Sequence, residues 1–275
     1  MAKLDLHSHT TASDGLLDSA ALVHLAHAAG LTTLAITDHD TTDGLAAAQA
    51  AAGPLGLTVI PGVEFGCELP QGEIHLLGYL FDPEHPALVA KLAWLRAGRL
   101  ERGRMMVERL GALGVPVSWA QVRALAAGGA VGRPHVAQAL VETGVVADTT
   151  AAFDRYLAWG GPAYVPRRRL DPEEAVALLR EAGGVAVLAH PARIPDLEVV
   201  LPRWVAAGLA GLECYYGEYD PPTVDRLVAL AQRHGLVPTG GSDYHGRPLK
   251  DHAALGGSPP VPLDTVERLV ARRET

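Results

Sequence analysis

The sequence predicts an α/β barrel interrupted by a helical insertion. Three observations lead there: a strand, loop and helix unit that repeats from the amino terminus, ionisable residues at the predicted strand ends, and a middle stretch of purely helical period. At 275 residues with 48% in the hydrophobic set, the chain can bury the large core such a domain needs.

Lys3 to Leu6 reads as the first strand, running into His7 and His9. Asp18 caps a helix over Ser19 to Ala29, closed by Gly30. Leu31 to Ile36 is a second strand with Thr37-Asp38-His39-Asp40 at its exit, and Thr42 or Asp43 opens the next helix. Leu57 to Ile60 leads into Gly62-Val63-Glu64, and Glu73 to Tyr79 pairs with Phe65 to Leu69 as a local hairpin. From about Pro83 to Tyr164 only helices fit: Leu88 to Leu110, Ser118 to Ala126, Pro134 to Glu142 and Thr150 to Leu157. The alternating rhythm then resumes. Asp171-Pro172-Glu173 starts a helix to Ala182, Val185 to Leu188 ends in His190-Pro191, Gly211 to Cys214 carries Glu213, and Leu236 to Thr239 ends in Gly240 through His245. A last helix spans Leu263 to Ala271. The expected division is a barrel over 1–82 and 165–275 with an inserted helical subdomain over 83–164, giving six or seven βα units.

Charge and composition exclude several classes. The net charge is -8 and the longest basic run is Arg167-Arg168-Arg169, which reads as a solvated connector, so stable binding of duplex nucleic acid is not expected. Cys67 and Cys214 are the only cysteines, without CxxC spacing, and are expected as buried small hydrophobes. No leader-like or eighteen-residue apolar run occurs, so the expectation is a cytoplasmic protein off the membrane. Trp94, Trp119, Trp159 and Trp204 are expected to fill core positions. No GxxxxGK[ST] loop supports a kinase or nucleotide switch.

The chemistry lies at the strand ends. In His7-Ser8-His9 the two imidazoles, two residues apart, leave an extended chain on the same side and can reach one ion. Asp14 follows in a short polar loop, and His39, Glu64, His75, His190, Glu213, Asp243 and His245 all fall at or beside strand ends. An ion takes roughly four to six ligands, so a set this large implies more than one. A carboxylate among the imidazoles can bridge two ions, which an imidazole nitrogen cannot. Mixed nitrogen and oxygen ligands suit zinc, manganese or iron, and a hard, carboxylate-rich set puts manganese first. Two ions roughly 3.5 to 4 Å apart suit in-line phosphoryl displacement, with amide or amidine hydrolysis as the competing chemistry. Arg133-Pro134-His135 opens an insertion helix, where guanidinium, imidazole and free N–H groups can face a phosphate, and Arg193 is a second candidate.

These motifs, Asp5-Leu6-His7-Ser8-His9-Thr10, Ser13-Asp14-Gly15, Thr37-Asp38-His39-Asp40, Gly62-Val63-Glu64, His75, Ala189-His190-Pro191, Gly211-Leu212-Glu213 and Gly241-Ser242-Asp243-Tyr244-His245, resemble the PHP (polymerase and histidinol phosphatase) family over nearly the full length. The resemblance implies a distorted (β/α)7 barrel with a trinuclear metal centre, so two to three divalent ions are expected. It implies His7, His9, Glu64 and Asp243 on one ion, a bridging Glu64 with His75 and His190 on the second, and Asp14, His39 and His245 on the third. Within the family the insertion, with Gly132-Arg133-Pro134-His135, looks like the stand-alone branch that removes the 3′-phosphate of 3′,5′-nucleoside bisphosphates or trims short 5′-phosphorylated RNA from its 5′ end. The implied partner is therefore a small nucleotide or a short single strand. Arg133, His135 and Arg193 would recognise its 5′-phosphate, and Asp38 and Asp40 would orient imidazoles, or Asp40 would help place the nucleophile. Histidinol-phosphate phosphatase is the rival enzyme, set back by the long insertion. A non-catalytic metal-binding or structural protein is the rival of another class, and the complete ligand set argues against it.

Overall fold

The computed structural model describes every residue except 1–2, 70–71, 127–128, 167, 169, 247–253, 258 and 274–275, so two members of the basic run, Arg167 and Arg169, lie outside the described residues. Seven strands stand in chain order around one sheet: β1 (Leu4–Asp5), β2 (Thr33–Ile36), β3 (Thr58–Leu69), β4 (Gly72–Tyr79), β5 (Val185–Leu188), β6 (Gly211–Tyr216) and β7 (Val237–Gly241). Neighbours are parallel except that β4 runs antiparallel to both β3 and β5. The two edges meet, because the Leu6 N–H donates to the Gly240 carbonyl at 3.2 Å and the His9 N–H to the Tyr244 carbonyl at 2.9 Å. The result is a nearly closed, distorted seven-stranded barrel.

Helices α1 (Ser19–Ala28), α2 (Leu45–Ala52), α7 (Pro172–Glu181), α8 (Leu197–Ala207), α9 (Pro221–Arg233) and α10 (Thr265–Ala271) follow or connect the strands, while α3 (Pro86–Ala112), α4 (Trp119–Leu125), α5 (Arg133–Glu142) and α6 (Thr149–Ala152) follow one another between β4 and α7. Asp18 caps α1 as expected, accepting from the Ala21 N–H at 2.8 Å. The α2 helix starts at Leu45, later than Thr42 or Asp43, because the 38–44 segment is occupied with the site described below.

Burial follows the strand period. Along β5, Val185, Val187 and Ala189 join a cluster with Leu6, Ala35, Leu77 and Tyr79, whereas Ala186 and Leu188 join the helix-facing core with Val176, Leu201 and Leu212. Both faces are thus apolar, as expected of strands covered on the outside by helices and filled within. Tyr79 spans from β4 to donate to the Leu6 carbonyl at 2.6 Å. A further cluster, including Met106, Leu110, Val122, Val136, Leu140 and Leu157, holds the insertion helices together.

Three expectations need correction. Strand β3 is one continuous run of twelve residues, since β2 pairs along Thr58 to Pro61 and β4 takes over from Gly62 to Leu69, leaving no break at Pro61-Gly62. Strand β1 is only two residues, Leu4 and Asp5 paired with Thr33 and Leu34, because beyond them the Leu6 N–H turns to the Gly240 carbonyl. Of the four tryptophans Trp204 is buried in the core and Trp119 packs half-buried on the insertion cluster, whereas Trp94 and Trp159 are exposed, with Lys91 and Arg168 over the Trp94 ring and Tyr164 beside Trp159. Cys67 and Cys214 are buried as expected. Among the described residues, no helix is long and apolar enough to cross a membrane.

Candidate metal centre

Each strand delivers its ionisable residues to one end of the barrel. The Asp5 carboxylate accepts from the backbone N–H groups of His7 (3.2 Å), Ser242 (3.0 Å) and Gly256 (2.7 Å), which turns the chain out of β1 and aims the next residues across the barrel mouth. Close approach of β7 is possible only at glycine: a Cβ on Gly241 would lie 2.4 Å from the His7 nitrogen. After β2, Asp38 accepts from the Thr10 N–H (2.8 Å), the Thr10 hydroxyl (2.7 Å) and the Ser13 hydroxyl (2.6 Å), clamping the loop that presents Asp14. Because β4 runs backwards, His75 reaches the same end from the early half of its strand, opposite Gly66 of β3.

Glu64 is the centre of the cluster. Its Oε2 lies 3.5 Å from His7 Nε2, 3.2 Å from His9 Nε2 and 3.0 Å from His39 Nδ1, while Oε1 lies 2.7 Å from His75 Nδ1 and 3.3 Å from His190 Nε2. Asp243 Oδ1 stands 3.2 Å from His7 Nε2 and 3.1 Å from His9 Nε2. On the other flank His245 Nε2 is 3.2 Å from Asp14 Oδ1, and the His9 and His245 rings stack with centroids 4.0 Å apart. All nine residues expected as ligands therefore meet. They fall into overlapping groups whose ligand atoms lie within 4.8 Å of one another: His7, His9, Glu64 and Asp243; His9, Asp14, His39 and His245; and His39, Glu64 and His75. His190 joins beside the last group, its ring 5.0 Å from that of His75.

Divalent ions fit this donor set. Among the described residues, His7 Nε2, His9 Nε2, His39 Nδ1 and Glu64 Oε2 are buried without a hydrogen bond, and all four point into the cluster. Buried nitrogen and carboxylate lone pairs aimed at a common point are costly unless a cation or proton satisfies them. Glu64 turns one oxygen to each side, as a bridging carboxylate must.

The electrostatics tell the same story. Burial alone would raise the Glu64 carboxyl, but the imidazoles of His39, His75 and His7 outweigh it and hold it well below the usual carboxylate range. Asp243 is likewise held low against its burial by His7, His245 and His9. Burial opposes charge on His9, yet the adjoining carboxylates of Asp243 and Glu64 raise it to about 9. Burial dominates at His39 and lowers it to about 3.

Several residues have roles that sequence reasoning did not assign. Glu213, flagged only as ionisable, accepts from His7 Nδ1 at 2.9 Å and from the His190 backbone N–H at 2.7 Å, so it orients the His7 imidazole and pins the His190 main chain instead of joining the cluster. Tyr216 donates to Asp243 Oδ2 at 2.9 Å. Arg99 of α3, 7% exposed, pairs with Asp40, whose φ of 53° is unusual for a residue with a side chain. Nothing in the spacing distinguishes Arg99 from Arg96, Arg102 or Arg104 on the same helix.

The phosphate-binding candidates separate. The segment 129–132 before α5 docks on the Asp14 loop, with the Ala130 N–H donating to the Ala12 carbonyl at 3.0 Å; a Cβ on Gly129 would lie 2.3 Å from the Thr11 carbonyl oxygen. That contact sets Arg133 and His135 at the rim. Arg133 pairs with Glu73, and buried His135 accepts from the Gly132 N–H through Nδ1 at 3.0 Å. Arg193, by contrast, is paired with Glu218 and largely exposed.

A carboxylate-bridged nest of imidazoles at the open end of a seven-stranded α/β barrel defines a metal-dependent phosphoesterase of PHP fold. The PHP domain profile matches residues 5–103. The 3′,5′-nucleoside bisphosphate phosphatase of Chromobacterium violaceum is 36% identical, over 99% of this chain and 98% of its own. The 5′-3′ exoribonuclease Rnm of Salmonella typhimurium is 41% identical, over 88% of this chain and 84% of its own. The crystal structure of a candidate metal-dependent phosphoesterase from Bifidobacterium adolescentis superposes with a TM-score of 0.90 at 35% identity, covering 99% of this chain and 96% of that one. The chain belongs to the PHP family, and is related to its bisphosphate phosphatase and Rnm exoribonuclease members.

Proposed function

We propose that this protein hydrolyses the 3′-phosphate of 3′,5′-nucleoside bisphosphates, leaving nucleoside 5′-phosphate, and also trims short 5′-phosphorylated RNA from the 5′ end. One observation carries the reading: the segment that leads into α5, whose first turn carries Arg133 and His135, rests through Ala130 on the same loop that presents Asp14 to the cluster. A phosphate at that helix start and a second phosphate at the cluster belong naturally to one nucleotide. The full-length similarity to a bisphosphate phosphatase supports it.

In this reading His7, His9, Asp14, His39, Glu64, His75, His190, Asp243 and His245 hold two to three divalent ions, manganese first and iron or zinc as alternatives. Such ions, when bound, supply Lewis-acid polarisation of the phosphoryl group and acidify a water. Glu213 keeps the His7 imidazole oriented and the His190 main chain pinned, and Asp38 keeps the Asp14 loop closed on the site. Arg133 and His135 bind the 5′-phosphate, with Arg193 in reserve at the rim. Asp40, committed to Arg99, fixes the turn after His39. A water oxygen bonds to phosphorus, the bond from phosphorus to the 3′-oxygen breaks, and that oxygen leaves with a proton.

The test is to incubate manganese-loaded protein with 3′-phosphoadenosine 5′-phosphate, a 5′-phosphorylated RNA pentamer and histidinol phosphate. Adenosine 5′-phosphate and inorganic phosphate from the first, with mononucleotides from the second, are the expected products. Turnover of histidinol phosphate alone overturns the nucleotide assignment.

A further inference from the structure

Glu73 precedes His75 by two residues on β4, so both side chains leave the strand on one face, about 7 Å apart along it. His75 points into the cluster at Glu64, whereas Glu73 meets the insertion. The Glu73 carboxylate is shared: one oxygen accepts from Arg102 Nη1 at 3.3 Å and the other pairs with Arg133 Nη2. Arg102 is itself anchored, since its Nε donates to the Val165 carbonyl at 2.7 Å and its guanidinium lies 5.4 Å from the Tyr164 ring. Arg133 lies over the Phe153 and Tyr164 rings at 5.6 and 5.9 Å. Glu68 adds a second carboxylate beside them, accepting from the Tyr164 hydroxyl at 3.4 Å, so the two guanidiniums are balanced until one turns to an anion. Arg133 is also the least buried of the three, with its side chain 21% exposed, against 10% for Glu73 and 6% for Arg102.

Building on the proposed nucleotide reading, we propose that Glu73 is a positioning residue: by tying Arg133 to the strand that carries His75, it sets the distance between phosphate anchor and metal cluster and so selects substrates with two phosphates on one sugar. A guanidinium pinned before substrate arrives loses less rotamer freedom on binding, and the gain falls only on ligands whose second phosphate reaches it.

The experiment compares wild type, Glu73→Ala and the isosteric Glu73→Gln on 3′-phosphoadenosine 5′-phosphate and on adenosine 3′-phosphate, reading kcat and KM separately and measuring bound manganese. Glu73→Ala raises KM for the bisphosphate about tenfold or more beyond any change for the monophosphate, the scale of one charge-assisted contact. Glu73→Gln, keeping one acceptor oxygen, falls between. Equal losses on both substrates, a fall in kcat that tracks lost manganese, or no change at all each overturn the inference. A wild type that does not prefer the bisphosphate overturns the nucleotide reading itself, and this inference with it, before any variant is compared.

Discussion

The division of labour around His7 illustrates how one carboxylate type serves two ends. Glu64 and Glu213 are both buried and both touch that imidazole, yet Glu64 faces Nε2 within the cluster and Glu213 holds Nδ1 from behind. An orienting acceptor of this kind fixes the tautomer and the basicity of the ring. Glu213→Gln is expected to weaken manganese binding roughly 10- to 100-fold, read by competition against a chromophoric chelator. The metal-free protein also has a pH signature. His9, raised from 6.5 to about 9, contributes stability fully present below pH 6.5 and lost as pH climbs through about 9. Manganese must displace that proton, so apparent affinity rises across the same window and binding releases protons, whereas His39, lowered to about 3, has none to give near neutrality. Calorimetry in buffers of different ionisation enthalpy measures the release, and a proton-neutral titration would contradict it. The nine clustered residues were legible in the sequence because their type and strand-end position coincide. Glu213 was visible as an acid but not as a support, since its partner His7 is 206 positions away, and Asp38, expected to orient imidazoles, instead holds Thr10 and Ser13.

Among the elements, α3 matters most because it reaches from the insertion into the barrel mouth. Its Arg99 is paired with Asp40 in a buried contact, and the Asp40 backbone sits in a left-handed turn beside His39. Arg99→Met leaves that carboxylate without its guanidinium and is expected to cost ~3–5 kcal/mol by urea denaturation. Adding Asp40→Asn should recover much of the loss, as a coupled pair requires; additive effects would mean that the two do not depend on each other. The helices and most strands were legible from periodicity and caps. The reversal of β4 was visible only as a hairpin with β3, and its equally antiparallel pairing with β5, about a hundred residues on, leaves no local mark. The exposed Trp94 and Trp159 show the opposite failure. Large aromatic rings are expected inside, but here cationic and aromatic neighbours cover them at the surface.

For the molecule as a whole, the cluster concentrates buried carboxylates and imidazoles where a hydrophobic fold would place apolar groups. Any ion that binds the folded chain alone stabilises it by mass action, ~2.7 kcal/mol for one site at a free concentration a hundred times its dissociation constant. The melting temperature should therefore rise with added manganese and fall in a chelator; identical curves in both conditions would exclude a cation-filled cluster. His7 and His9 stand more than 230 positions before Asp243 and His245, and the cluster needs all four. The cluster is therefore complete only once β7 has closed on β1, so an ion bound there reports closure of the whole barrel and not of one part.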